Sequence, residues 1–302
     1  MILPDVEGEG KFILMGPPAF PRSVFIESHR IDACMDYALR NHSGRISISP
    51  LGMGFELPDL SFLSRFPWVE HLTILHSDMI DISAVSTLSR LRYLQISGKA
   101  KQLLDLANFP QLRELRVVWW RKLRFGDTLP SLRVLSLSNY VSASGDLTGL
   151  PEMHQLDDLD LVQSRNLTLA GIERFPGLRR LTVSYFPKLV DLSPLTAFAD
   201  GILEILEFMN CPNLEHHDQV RVIRSLRRLA FNRCGEIPSL RFLDDLPALE
   251  SFSFVDTNIV NGDLSPCLRL PLVGFLDKRH YSHRSSDFPD AGPRPELKPQ
   301  PD

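Results

Sequence analysis

Cysteine is scarce in this sequence. Four in 302 residues are too few for the disulfide framework that staples small secreted domains together. Long apolar runs are missing too, none approaching the roughly 18 residues of a membrane span. Neither sign of charge dominates: 33 Lys+Arg against 37 Asp+Glu leave a formal net charge of −4. That balance argues against holding nucleic acid by bulk positive charge. The opening Met1-Ile2-Leu3-Pro4-Asp5-Val6-Glu7 lacks the basic-then-apolar layout of a signal peptide, so the expected compartment is cytoplasmic. Catalytic signatures are also lacking, with no Gly-x-Ser-x-Gly, His-Glu-x-x-His or Cys-x-x-Cys. Gly8-Glu9-Gly10-Lys11 is a fragment of a phosphate loop with the wrong spacing, and reads as an N-terminal turn.

Leucine, by contrast, is abundant: 49 residues, close to one in six. The leucines keep phase. Leu-x-x-Leu-x-apolar recurs at Val69/Leu72/Ile74, Leu91/Leu94/Ile96, Leu112/Leu115/Val117, Leu132/Leu135/Leu137 and Leu156/Leu159/Leu161. It continues at Leu178/Leu181/Val183, Leu203/Leu206/Phe208, Leu226/Leu229/Phe231, Leu249/Phe252/Phe254 and a weaker Leu270/Val273/Phe275, with an average advance of about 22 residues. Alternation within each motif sends two side chains into a core and their neighbours out along a sheet. A unit this short cannot close its own core, so burial must happen between stacked units. Phe/Leu-Pro pairs precede several strands (Phe66-Pro67, Phe109-Pro110, Leu129-Pro130, Phe175-Pro176, Leu246-Pro247). In each the first residue fills the convex side of the core and the proline biases the chain toward extended backbone. Asp81, Asp146 and Asp191 open short segments that read as Asx-capped turns or 3₁₀ pieces.

Ten in-phase copies of this unit resemble the leucine-rich repeat family over about residues 44–284. The resemblance implies an α/β solenoid, a horseshoe with a parallel concave sheet and short turns or 3₁₀ segments on the convex side. Around it, residues 1–43 are expected to hold an N-terminal segment and a capping helix, with apolar spacing at Ile31, Cys34, Met35, Ala38 and Leu39. Residues 277–284 form an expected polar C-terminal cap. Five prolines among residues 285–302 predict a disordered tail. Three residues past each strand's last apolar position the family usually places Asn or Cys. Here Ser77, Lys99, Trp120, Tyr140, Ser164, Phe186, Cys211, Cys234 and Thr257 occupy it. Phe186 cannot donate from that position, and Trp120 or Tyr140 is expected to turn outward.

Chemistry-bearing clusters are few. His280-x-x-His283 and His216-His217-Asp218 fall short of the four ligands of a zinc site, so no metal and no cofactor is expected. Cys211 and Cys234 lie one repeat apart and read as ladder thiols rather than a disulfide. Cys34 belongs to the cap helix and Cys267 to the last turn. Asp158 and Asp160 alternate on one strand beside Arg180 of the next repeat, an exposed ion pair rather than a catalytic dyad, because an open sheet supplies no pocket.

The same phase sorts the residues that a partner would meet. Tyr93, Arg116, Asp158, Asp160, Arg180, Glu207 and Arg228 face out from the strands, and Trp119, Tyr140 and Tyr185 lie at the strand exits. Trp119 reads as an exposed anchor and Trp120 as half-buried packing. Mixed charge interspersed with Trp, Tyr and Arg favours a protein partner over nucleic acid or membrane. Small bacterial leucine-rich proteins with short irregular repeats include toxin immunity proteins. The resemblance therefore implies a non-enzymatic protein-binding module, monomeric when free, that neutralises a cognate toxin or other effector through its concave face. An adaptor subunit and an enzyme with an unrecognised site are the alternatives.

Overall fold

A computed structural model describes residues 5–7, 11–16 and 21–289. The chain divides into two units, Met1–Leu135 and Ser136–Asp302, and in each the apolar register of the sequence is also the register of a parallel sheet.

In the first unit, β4 (Arg45–Ile48), β5 (His71–Ile74), β6 (Tyr93–Ile96) and β7 (Glu114–Val118) run parallel. Ile46 pairs with Leu72, Leu72 with Leu94 and Leu94 with Leu115, and all four are buried. The sheet begins earlier than the repeat does. Strands β1 (Asp5–Glu7), β2 (Phe12–Met15) and β3 (Ser23–Phe25) precede it, β2 antiparallel to both neighbours and β3 parallel to β4. The capping helix α1 spans Ile31–Asn41 and buries Cys34, Met35 and Ala38. Leu39, expected on that face, is 50% exposed. Phe12 of β2 stacks on Tyr37 at 4.1 Å, so strand and helix cover the first repeat together. Gly8, Glu9 and Gly10 of the phosphate-loop fragment lie outside the described residues.

The second unit carries β8 (Asp158–Val162), β9 (Arg180–Ser184), β10 (Ile205–Met209), β11 (Arg228–Asn232), β12 (Ser251–Ser253) and β13 (Leu272–Gly274). Leu159, Leu181, Leu206, Leu229, Phe252 and Val273 pair in turn, one repeat per step. The convex segments are 3₁₀, including Ser83–Thr87, Ser193–Phe198 and Arg241–Asp245. The Asx caps are in place: Asp81 accepts from the Ser83 N–H at 2.7 Å, Asp146 from Thr148 at 3.0 Å and Asp191 from Ser193 at 3.1 Å. The first unit departs from this at Leu104–Asp105 and Leu123–Arg124, which pair as a small parallel sheet.

The position expected to carry Asn is filled by several chemistries. Thr257 Oγ donates to the Phe231 carbonyl at 2.6 Å, and the Cys211 and Cys234 thiols to the Met209 and Asn232 carbonyls at 3.6 and 3.4 Å. The cysteines are free and buried, as ladder thiols should be. Trp120 and Tyr140 do not turn outward; each is 5% exposed. The indole N–H of Trp120 donates to the Gln102 carbonyl at 2.9 Å, so the ring does what an asparagine amide would. Tyr140 fits because Gly149 has no side chain: a Cβ there would stand 3.0 Å from its hydroxyl.

The C-terminal cap is aromatic where the sequence suggested a polar segment. Phe254 stacks on Phe275 at 5.0 Å, Tyr281 packs edge-on against both, and Phe288 meets Phe275 at 5.5 Å. Tyr281 and Phe288 are each 7% exposed. Phe288 is thus packed after an exposed 3₁₀ turn at Ser285–Asp287, and the rest of the expected tail, 290–302, lies outside the described residues. No helix among the described residues is long and apolar enough to cross a membrane.

A charge ladder runs along the strand entries of the second unit. Arg179 pairs with Glu204, Glu204 with Arg227 at 3.4 Å, and Arg227 with Glu250 through two bonds of 2.9 Å. These residues occupy the second position of Leu-x-x-Leu, and the sequence reading assigned them no role. Arg179, Glu204 and Arg227 are buried or nearly so, which places the ladder in the structure rather than in solvent. Glu204→Ala should cost about 2–3 kcal/mol in urea unfolding, because it takes the carboxylate from the poorly hydrated Arg179, while Arg227 keeps Glu250. Arg179→Met/Glu204→Leu together should cost less than Glu204→Ala alone.

His217 is buried against Phe231, edge-on at 4.7 Å, and neither ring nitrogen has a hydrogen-bond partner among the described residues. Burial lowers its pKa from 6.5 to about 4. His71 of the first unit is likewise lowered to about 4, by burial and then by Arg45. Both groups charge more readily unfolded than folded. Their contribution is thus intact above pH 6.5 and lost as pH falls toward 4. Thermal midpoints should drop through that window, and His217→Phe should flatten the drop.

Candidate interaction surface

On the out-facing side of the second unit, three rows of side chains cross the strands. The first is Asp158, Arg180, Ile205, Arg228 and Ser251; the second is Asp160, Thr182, Glu207, Ala230 and Ser253; the third is Val162, Ser184, Met209 and Asn232. The repeat spacing predicts Arg180 beside Asp158, and the two are in register. Asp158 and Arg180 pair at 3.6 Å, and Arg228 reaches diagonally to Glu207 at 2.6 Å. Asp160 accepts from Ser136 Oγ at 2.9 Å. At 3.6 Å the first pair is an ion pair without a hydrogen bond, and the buried Arg180 Nε has no acceptor among the described residues. Ile205 faces out but is buried; the aliphatic stems of Arg180 and Arg228, its neighbours in register, are the cover available.

Where the strands end, the chain turns through the left-handed region. Asn139, Gln163, Tyr185, Asn210, Arg233 and Asp256 have φ between 53° and 60°. The N–H of each of the first five bonds a carbonyl of the next repeat, that of Tyr185 reaching Met209 at 2.8 Å. Asn and Asp tolerate this conformation; a tyrosine does not, without cost. Tyr185 is nevertheless 52% exposed, beside Met209 at 41%. Two large apolar side chains from adjacent repeats thus stand in solvent beside the Glu207–Arg228 pair. Tyr140, predicted for the same role, is buried and offers a partner almost nothing.

The first unit presents a different face. Arg45, His71, Tyr93 and Glu114 form one row in register, with Ser47, Thr73, Gln95 and Arg116 behind it. Tyr93 Oη donates to Gln95 at 2.7 Å, and exposed Arg116 pairs with Glu114 at 2.6 Å. Burial raises the Tyr93 pKa, with Glu114 adding to the shift. Trp119 is half-buried rather than an exposed anchor. The out-facing sheet is also not open everywhere. A pocket of about 450 Å³ lies over the Arg45–Glu114 row, because Met15 and Ser23 of the N-terminal strands rise beside it. Sequence reasoning listed neither Arg45 nor Met209 as a site residue. Arg45 stands one place before Ile46 as His71 does before Leu72, so extending the phase back one repeat finds it.

No family model matches the chain, and no curated protein does. Solved structures similar to it include an internalin of Listeria monocytogenes, 16% identical, with a TM-score of 0.48 over 80% of this chain and 79% of that one. A leucine-rich repeat protein of Leptospira interrogans is 16% identical, with a TM-score of 0.41 over 76% and 70% of the two chains. The functional domain of a second Listeria monocytogenes internalin is 13% identical, at 0.37 over 70% and 54%. The architecture rests on the strand register of the chain itself, which is that of a leucine-rich-repeat solenoid.

Tyr185→Asn should stabilise the protein by roughly 1 kcal/mol, since asparagine is at ease where tyrosine is not. Thermal melts of the two proteins under identical conditions decide it, and an unchanged or lower midpoint would mean that the ring is held by packing.

Proposed function

We propose that this chain is a non-catalytic protein-binding module whose task is to neutralise a toxin or another effector by direct contact. The observation that carries the reading is Tyr185, exposed beside Met209 in a backbone conformation that disfavours it. A residue kept against its own conformational preference, with its ring in solvent, serves something other than folding. Tyrosine and arginine are the residue types that dominate interface energies. Glu207 lies one row from Met209, and Arg180 and Arg228 one row further; the Arg180 Nε–H has no acceptor among the described residues. Tyr93, Arg116 and Trp119 are the corresponding contacts proposed on the first unit. A catalytic role for Asp158 and Asp160 finds no support in their partners. Arg180 neutralises one and Ser136 occupies the other.

The purified chain, mixed with a candidate toxin or effector taken from a neighbouring gene, should form a stoichiometric complex and abolish the effector's activity. Tyr185→Asn and Arg180→Glu should each weaken that complex at least tenfold, the scale of an interface hot spot (about 1.4 kcal/mol or more). Trp119→Ala should weaken it less. Affinities within twofold of the parent for both Tyr185→Asn and Arg180→Glu would place the contact elsewhere.

A further inference from the structure

We propose that the pocket over the first unit's sheet is a binding site for a carboxylate, with the Arg45 guanidinium as its charged anchor and His71 as a second donor. Arg45 is half-buried and lines the pocket with His71, Thr73 and Tyr93. Its neighbours in charge are already matched: Glu70 pairs with Arg92 at 3.3 Å and Glu114 with Arg116 at 2.6 Å. Arg45 itself has no carboxylate partner among the described residues. Its one side-chain hydrogen bond runs from Nη1 to His71 Nδ1 at 3.0 Å.

That bond fixes the state of the histidine. Arginine only donates, so Nδ1 must accept, and the ring proton sits on Nε2. Nε2–H makes no other hydrogen bond among the described residues and belongs to a ring on the pocket lining. A half-desolvated guanidinium matched only by a neutral ring is an incomplete arrangement. Planar carboxylates complete it, because the guanidinium fork accepts them with two parallel bonds. A doubly charged phosphate fits less well with the Glu114 carboxylate lining the same pocket. The volume, about 450 Å³, is that of a small-molecule site or of a seat for one inserted acidic side chain. This inference concerns the first unit alone and holds whichever protein the chain binds.

His71 reports occupancy. Its pKa is lowered to about 4 by burial and then by Arg45, with Glu70 opposing and Arg92 adding; Tyr93 lies beside it in register, and Glu114 lies next in the row. A carboxylate on Arg45 offsets that positive field, so the His71 midpoint must rise on binding.

The test is an NMR titration of the full chain with sodium glutarate, using neutral glutaramide as the control and ionic strength held fixed. A short Glu-containing peptide with neutral termini, against its Gln counterpart, forms the second arm. Saturable His71 ring shifts and an upward-moving titration midpoint are expected with a carboxylate probe and absent with its neutral twin. Arg45→Gln should weaken the response at least about tenfold, whereas Arg45→Lys, which keeps the charge but loses the fork, should retain part of it. If Arg45→Gln does not fold by circular dichroism, the Arg45→Lys titration with glutarate against glutaramide decides. Saturation by glutarate assigns the site to free acids, and saturation by the peptide alone assigns it to a polypeptide's acidic side chain. No saturation with either, equal shifts with the neutral probes, or an undiminished response in Arg45→Gln overturns the proposal.

Discussion

One constraint organises this protein: a repeat of about 22 residues has too little apolar surface to enclose a core, so each must bury its leucines against the next. Leu159, Leu181, Leu206, Leu229 and Phe252 are fully buried and paired in sequence, each step one repeat long. Because side chains alternate along a strand, fixing these residues inward fixes their neighbours outward. The outer face is thus a by-product of the core, and slipping one strand by a residue would invert both.

Stacking leaves a problem at each end, and the chain solves the two differently. At the start, three short strands and a helix cover the first repeat, with Phe12 and Tyr37 stacked between strand and helix. At the end, where strands shorten to three residues, aromatic rings replace leucines as the filler, and Phe254, Phe275, Tyr281 and Phe288 close the core. The first solution has a consequence that the second lacks. Strands added before the repeat bring Met15 and Ser23 beside the out-facing row and turn part of a sheet into a pocket.

Much of this was legible in the leucine phase: the parallel strands, the Asx-capped convex turns, the partners across the rows and the ladder cysteines. What was not legible depends on backbone or shape rather than on polarity. A left-handed φ at Tyr185 leaves no trace in an apolar pattern, since the neighbouring repeats use Gln163 and Asn210 for the same turn. Trp120 looked too large for a ladder position, yet its N–H reaches a carbonyl that a smaller amide could have served. The N-terminal strands are three or four residues long and carry no repeat, so periodicity had nothing to detect. Tyr140 was misassigned for a related reason, because the space that admits it is made by a glycine nine residues on.

Arg179 and Arg180 show how far phase outweighs composition. They are adjacent arginines on one repeat, with opposite surroundings. Arg179 is buried in the ladder, hydrogen-bonded to Glu204, where its charge is part of what aligns successive strand entries. Arg180, one residue on, stands on the out-facing row with Asp158 at 3.6 Å and its Nε unsatisfied. Exchanging the roles of the two would require shifting the strand, which the leucines forbid. A balanced count of acids and bases therefore conceals two populations: charges satisfied by neighbouring repeats, and charges on the outer face whose pairing is incomplete. Arg45 and Arg180 belong to the second population, one in each unit: Arg45 has no carboxylate partner among the described residues, and Arg180 Nε stands 3.6 Å from Asp158 without a hydrogen bond.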